Sequence, residues 1–204
     1  RLGGMRDIPF PVVLAWGIFP WIAFQEGTAR ATTSLVESGG LIKRMAFRPG
    51  IVAAQPVLAA AVQLGVALTV LVLLMPLLGV RVAPTLPLCL VPLALQIFFA
   101  IGIGWILGVL HVYFRDTAQV VVVALQAWFY LTPIVYTLET APQPLQRLLA
   151  LNPLCGIVES YRAFALGGPM SWGALGWSAV AAAGALSGGA VVLSRARDEV
   201  ADLV

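Results

Sequence analysis

Charge is confined to a few places along this chain, and between them lie five long uncharged runs: 8–25, 56–80, 88–112, 117–138 and 172–193. A helix rises about 1.5 Å per residue, so runs of about 20 residues match the apolar thickness of a bilayer. Each run predicts a membrane-spanning helix, five in all. The polar segments between them then become the loops. Residues 26–50 form the longest, followed by a proline-rich turn at 81–87 and a compact charged corner at 113–116. After the fourth run, 139–162 is a proline-bearing amphipathic piece. It is too polar to span and too apolar for a solvated loop, which predicts a segment that lies at one membrane face or dips back into it.

Composition agrees with this pattern. Sixty per cent of the 204 residues are hydrophobic and ten per cent charged, and the mean hydropathy is +0.96. These values exclude an ordinary soluble domain. The spans and their connections use nearly the whole length, so any ATPase, kinase or protease chemistry has to come from another chain. The fold class expected is all-α, a polytopic membrane helix bundle. A net charge of +3 without a stripe of Lys and Arg excludes a nucleic-acid footprint. Cys89, Cys155 and the single histidine, His111, lack metal-ligand spacing, so neither a metal site nor a proton relay is expected. No phosphate-binding loop, HExxH or nucleophile set is present, and no catalytic residue is assigned. The chain opens on Arg1 rather than Met, which suggests that an upstream segment is missing.

Loop charge sets an expected orientation. Placing 26–50, 113–116 and 194–204 inside gathers seven basic residues there against five outside, so the C-terminus is expected in the cytoplasm. An odd number of spans then leaves the visible N-terminus outside, and one further span upstream would make six.

Several local patterns invite functional readings. Gly39 and Gly40 break the chain before a short helix that Pro49 stops, in which Leu41, Ile42, Met45 and Phe47 oppose Lys43 and Arg44. It reads equally as a docking helix for a cytosolic partner and as a basic helix on anionic lipid. Thr132-Pro133 falls inside the fourth span, where proline removes a hydrogen bond and bends a helix. Around it, Trp128, Phe129, Tyr130 and Tyr136 offer surfaces for stacking on sugars, or an interfacial aromatic belt. Trp16, Phe19, Trp21 and Phe24 in the first run read as membrane anchors. Gly104 and Gly108 form a small-residue pair for close helix packing, as do Gly184 and Gly188. Glu159 and Arg162 are spaced to pair on one helix face, either as a polar gate or as wet interfacial charges.

Four pieces in order, FPWIAFQEGTARATTSLVESGGLIKRMAFRP, YFRD, LTPIVY and LNPLCGIVESYR, resemble the membrane subunit of ABC-2 type exporters that move polysaccharide, the O-antigen and teichoic-acid permeases. The likeness covers nearly all of residues 1–204 as one transmembrane domain. Missing are the family's N-terminal interface helix and first span. The resemblance implies a homodimer of permeases bound to two ABC ATPase subunits that carry ATP and Mg, with no cofactor on this chain. It implies export of lipid-linked glycan from a bacterial inner membrane. Leu41 to Phe47 would be the coupling helix, and Tyr113, Phe114, Arg115 and Asp116 a motif at the cytoplasmic end. Trp128, Phe129, Tyr130, Pro133 and Tyr136 would line the path. Short re-entrant helices outside would carry the gate residues Asn152, Pro153, Glu159, Tyr161 and Arg162. The same architecture also serves drug and small-lipid exporters, and a membrane scaffold or a lipid-linked-sugar enzyme is the alternative outside transport.

Overall fold

Twenty-eight residues in a row, Phe10–Glu37, form the first helix (α1), launched by Pro9 and Pro11 where the first turn needs no amide donors. A buried stripe runs its whole length through Val12, Trp16, Pro20, Phe24, Thr28, Ala31 and Leu35. The expected loop at 26–50 is therefore helical as far as Glu37. Glu26 and Arg30, which looked like the end of the first span, form an i,i+4 ion pair of 2.8 Å on the exposed side. Helix polarity is absorbed internally as well: Thr32 donates to the Thr28 carbonyl at 2.9 Å and Ser34 to that of Ala31 at 2.8 Å.

The computed structural model describes residues 8–40, 49–134 and 149–196. Within them lie five further α-helices: α2 (Pro49–Leu74), α3 (Leu90–Tyr113), α4 (Thr117–Tyr130), α5 (Pro153–Leu166) and α6 (Trp172–Arg195). Short 3-10 turns, Pro76–Leu78 and Leu86–Cys89, lie between α2 and α3. No strand occurs among the described residues, as an all-α bundle requires. Three segments are long and apolar enough to cross a membrane: Pro49–Leu74, Leu86–Tyr113 and Trp172–Arg195.

Besides the first, two more spans differ from expectation. The second helix starts at Pro49 rather than at 56 and ends at Leu74, short of 80. Its first turn is held by Trp105, whose indole Nε1 donates to the Gly50 carbonyl at 2.9 Å. The fourth run, expected as a continuous helix over 117–138 bent at its proline, stops at Tyr130. Proline disfavours helical geometry at the residue before it, so the chain leaves the helix ahead of Pro133. Leu131 and Thr132 close the last turn with bonds to the carbonyls of Trp128 and Phe129, both 3.1 Å. Fourteen residues make α4 about 21 Å long, short of a membrane crossing by itself.

Glycines set the tightest crossings. A Cβ on Gly102 would sit 2.3 Å from the Ala185 carbonyl carbon, and one on Gly189 would sit 2.4 Å from the Gly102 oxygen. These two positions, with Ala185, form the α3–α6 seam. Gly104 and Gly108 do pack within the chain, against Ala31 and Leu35 of α1. Gly184 and Gly188 face open space instead; the sequence pair is displaced by one residue from the glycine that makes the contact.

The helices sort the chain into two ends. At one, Leu35, Ala53, Val109, Leu193 and Ala196 pack together, gathering the last turn of α1, the first of α2 and the last turns of α3 and α6. At the other lie the start of α1, the end of α4 and all the contacts of α5.

Candidate functional site

Asn152-Pro153 is a local helix-start signal, a capping side chain followed by a proline at the first helical position. The structure uses it so. Asn152 Oδ1 accepts from the Leu154 amide at 3.0 Å, and α5 runs from there to Gly167, whose φ of 73° ends it in the left-handed region. Twelve of its fourteen residues are buried, all but Pro153 and Glu159. A helix this enclosed is a keystone of its end of the bundle.

Every part of α5 is tied to a neighbour. At its start, Ser178 of α6 donates to the Pro153 carbonyl at 2.6 Å, Trp177 donates to that of Leu151 at 2.9 Å, and Gly156 lies against Ala174 and Ser178. At its end, the turn between α2 and α3 covers the last carbonyls. The Ala83 amide donates to Ala165 at 3.1 Å and the Thr85 hydroxyl to Phe164 at 2.8 Å.

The turn that follows α4 is held to α5 from two places. Asn152 Nδ2 donates to the Leu131 carbonyl at 2.9 Å and to the Thr132 hydroxyl at 3.0 Å, while its Oδ1 also accepts from Trp128 Nε1 at 3.0 Å. One side chain thus uses two donors and two acceptors. Ten residues on, Arg162 is only 7% exposed. Its guanidinium donates to the carbonyls of Pro133 at 2.9 Å and Ile134 in the turn, and to Val13 of α1 at 3.1 Å. The cation is solvated by three backbone dipoles, the kind of compensation that a buried charge requires. Its Nη2 end lies against Gly17, where a Cβ would collide with it.

Aromatic side chains fill the space beneath. Phe24 stacks on Phe99 at 5.8 Å and meets Trp128 edge-on at 5.7 Å, and Trp21 meets Phe129 at 5.7 Å. Trp16, Trp21 and Phe24, expected as membrane anchors, are instead fully buried in this core. Of the residues expected along a path, Trp128 and Phe129 are packed on α1 and α3. Tyr130 points outward at 76% exposure, Pro133 lies in the turn, and Tyr136 lies outside the described residues. The expected gate residues Asn152, Pro153, Glu159, Tyr161 and Arg162 share α5 or its cap, with the Tyr161 side chain fully buried.

The charged corner lies at the opposite end of α4. Phe114 is extended there (φ −129°), its side chain exposed like that of Tyr113, and Thr117 starts α4 by donating to the Phe114 carbonyl at 2.6 Å. Arg115 and Asp116 are exposed beside it. Leu41, Ile42, Lys43, Arg44, Met45 and Phe47 lie outside the described residues, but their flanks, the end of α1 and Pro49, belong to this same end. Among the described residues no three His, Cys, Asp or Glu gather to hold a metal ion.

Sequence reasoning had reached Asn152 and Arg162, and Trp128, Thr132 and Pro133 among their partners, but not the neighbours on α1 and α6. Val13, Gly17 and Ser178 carry no motif, and only the close approach of α1 and α6 to α5 gives them a role.

A bundle of long apolar helices braced by a buried short helix defines an integral membrane protein. Residues 3–166 match the model of the ABC-2 type transporter family, and the chain belongs to that family. Among individual relatives, it is 25% identical over 166 residues to the O-antigen export system permease protein RfbA of Klebsiella pneumoniae, covering 80% of this chain and 63% of the relative. It is 28% identical over 165 residues to the protein of the same name from Myxococcus xanthus, 78% of this chain and 62% of that one. The chain thus spans a little under two thirds of the length of these relatives.

Proposed function

We propose that this chain is the permease subunit of an ATP-driven exporter that carries lipid-linked polysaccharide, of the O-antigen kind, outward across a bacterial inner membrane. The observation that carries the reading is the similarity to O-antigen export permeases over about four fifths of the chain. Two copies of the permease pair with two ATPase subunits, which supply ATP and Mg and the hydrolysis.

The two ends of the bundle support a division of labour. The end that gathers the flanks of residues 41–47, the 113–116 corner and Ala196 is the cytoplasmic one in this reading, where the coupling segment seats on the ATPase. The end that holds α5 faces outward and carries the gate. Closure of the ATPase pair on ATP pushes the coupling segment, tilts the long helices and opens a path between subunits. The chain performs no chemistry; it converts a push at one end into an opening at the other.

The test is co-purification of the full-length permease with its ATPase subunit, comparing wild type with Ile42→Asp and Met45→Asp. Either aspartate should dissolve the complex and stop glycan reaching the surface while the permease stays in the membrane. A complex untouched by both substitutions would place the docking site elsewhere.

A further inference from the structure

We propose that Arg162 is a reversible latch, resting on the export reading above, that fastens the turn after α4 to α1 in the closed state and lets go when the transporter opens. The two ties on that turn differ in kind. Asn152 joins it to α5 alone, through Leu131 and Thr132, and gives it no hold on α1. Arg162 reaches further. It holds Pro133 and Ile134 with one side of the guanidinium and, through Nε, the Val13 carbonyl of α1. Among the described residues this is the one hydrogen bond between α1 and the unit made of the turn and α5.

Its chemistry suits release. A tie made of paired opposite charges leaves a stranded buried charge when it parts, which costs several kcal/mol. Here the acceptors are backbone carbonyls, which are neutral dipoles. Val13 lies inside α1, so its carbonyl stays within a helix when the guanidinium departs. Parting therefore strands no opposite charge: the cation is hydrated by a path that opens to water, and the packing of Ile134 in the core with Val12 and Trp16 gives way with it. Planarity matters too, because the fork has to serve three carbonyls from two directions while lying on Gly17, and a lysine ammonium has neither the shape nor the reach. Gly17 is the matching half of the device, since any side chain there fills the place of the guanidinium.

Amide hydrogen exchange of the full-length permease with its ATPase in lipid nanodiscs tests this. Exchange at Leu131, Thr132 and Ile134 is compared without nucleotide and with ATP trapped on a hydrolysis-deficient partner. In wild type, ATP should speed that exchange about tenfold, the effect of losing even one weak charge-assisted bond. In Arg162→Lys and Gly17→Ala it should be fast in both states, with the nucleotide dependence gone. Slow exchange along α3 reports that a variant has folded. Should both variants fail that check, the wild-type comparison decides alone. A passive structural tie would leave wild-type exchange independent of ATP, and that result, with ATP hydrolysis normal in the complex, overturns the latch and leaves the export reading standing. If no ATPase subunit associates at all, the export reading falls and takes the latch with it.

Discussion

Replacing Asn152 with alanine removes four hydrogen bonds through one side chain, and the geometry allows the loss to be sized. The cap on the Leu154 amide is worth about 1 kcal/mol. The bonds from Trp128 Nε1, to the Leu131 carbonyl and to the Thr132 hydroxyl contribute about 1 kcal/mol each where water cannot replace them. The bond to Leu131 lies at an exposed position, so the sum is discounted to about 3 kcal/mol. Asn152→Asp separates the parts. A carboxylate keeps both acceptor functions, the cap and Trp128, but loses both donors and sets a negative charge against the Leu131 carbonyl. Its loss should fall at about 2 kcal/mol, half from missing bonds and half from repulsion. Reversible unfolding in mixed detergent micelles, followed by tryptophan fluorescence, measures both. If Asn152→Ala costs under about 1 kcal/mol, water replaces the side chain and α4 is not held to α5 in the way the distances imply.

Other substitutions test separate joints. Gly189→Ala should lower folded yield sharply and melt early, since its Cβ would lie 2.4 Å from the Gly102 oxygen, whereas Gly184→Ala, with open space around it, should be neutral or stabilising by about 0.5 kcal/mol; thermal unfolding of the purified pair decides. Gly167→Ala forces a side chain into a φ of 73° and should cost about 1 kcal/mol at the end of α5, read in the same assay. Trp105→Phe loses the bond to the Gly50 carbonyl while keeping the ring, so exchange of the first α2 amides should quicken several-fold with little change elsewhere.

Much of the architecture was visible in charge spacing, because uncharged runs of bilayer length have few alternatives. Where the reading erred, the cause is local. Glu26 and Arg30 resembled a span end because sequence does not reveal that two opposite charges four apart can pair on one face while Gly27, Thr28 and Ala31 continue the buried stripe on the other. Thr132-Pro133 was expected to bend the helix and instead follows its end; a bend and a stop differ only by what receives the freed backbone groups, here Asn152 and Arg162, 20 or more residues away. The aromatics around it could face sugar, lipid or core, and tertiary packing with Phe24 and Phe99 decided for core in Trp128. Glycine pairs at spacing four were legible as packing surfaces, but not which neighbouring glycine, 188 or 189, meets the other helix.

The uninterrupted length of α1 has a mechanical meaning. At 28 residues it is a rod of about 42 Å, with Val13 near one end and the approach to residues 41–47 at the other. Tilting such a rod about one end by about 5° carries its tip about 4 Å, more than the whole donor–acceptor length of a hydrogen bond. A displacement too small to disturb packed helices is thus magnified enough to part Arg162 from Val13. Pro20 is where the lever would otherwise flex, and Gln96 of α3 braces that point, its Nε2 donating to the Pro20 carbonyl at 3.0 Å. That contact keeps the rod stiff at its weakest joint, so that a tilt about the Glu37 end is carried whole to Val13.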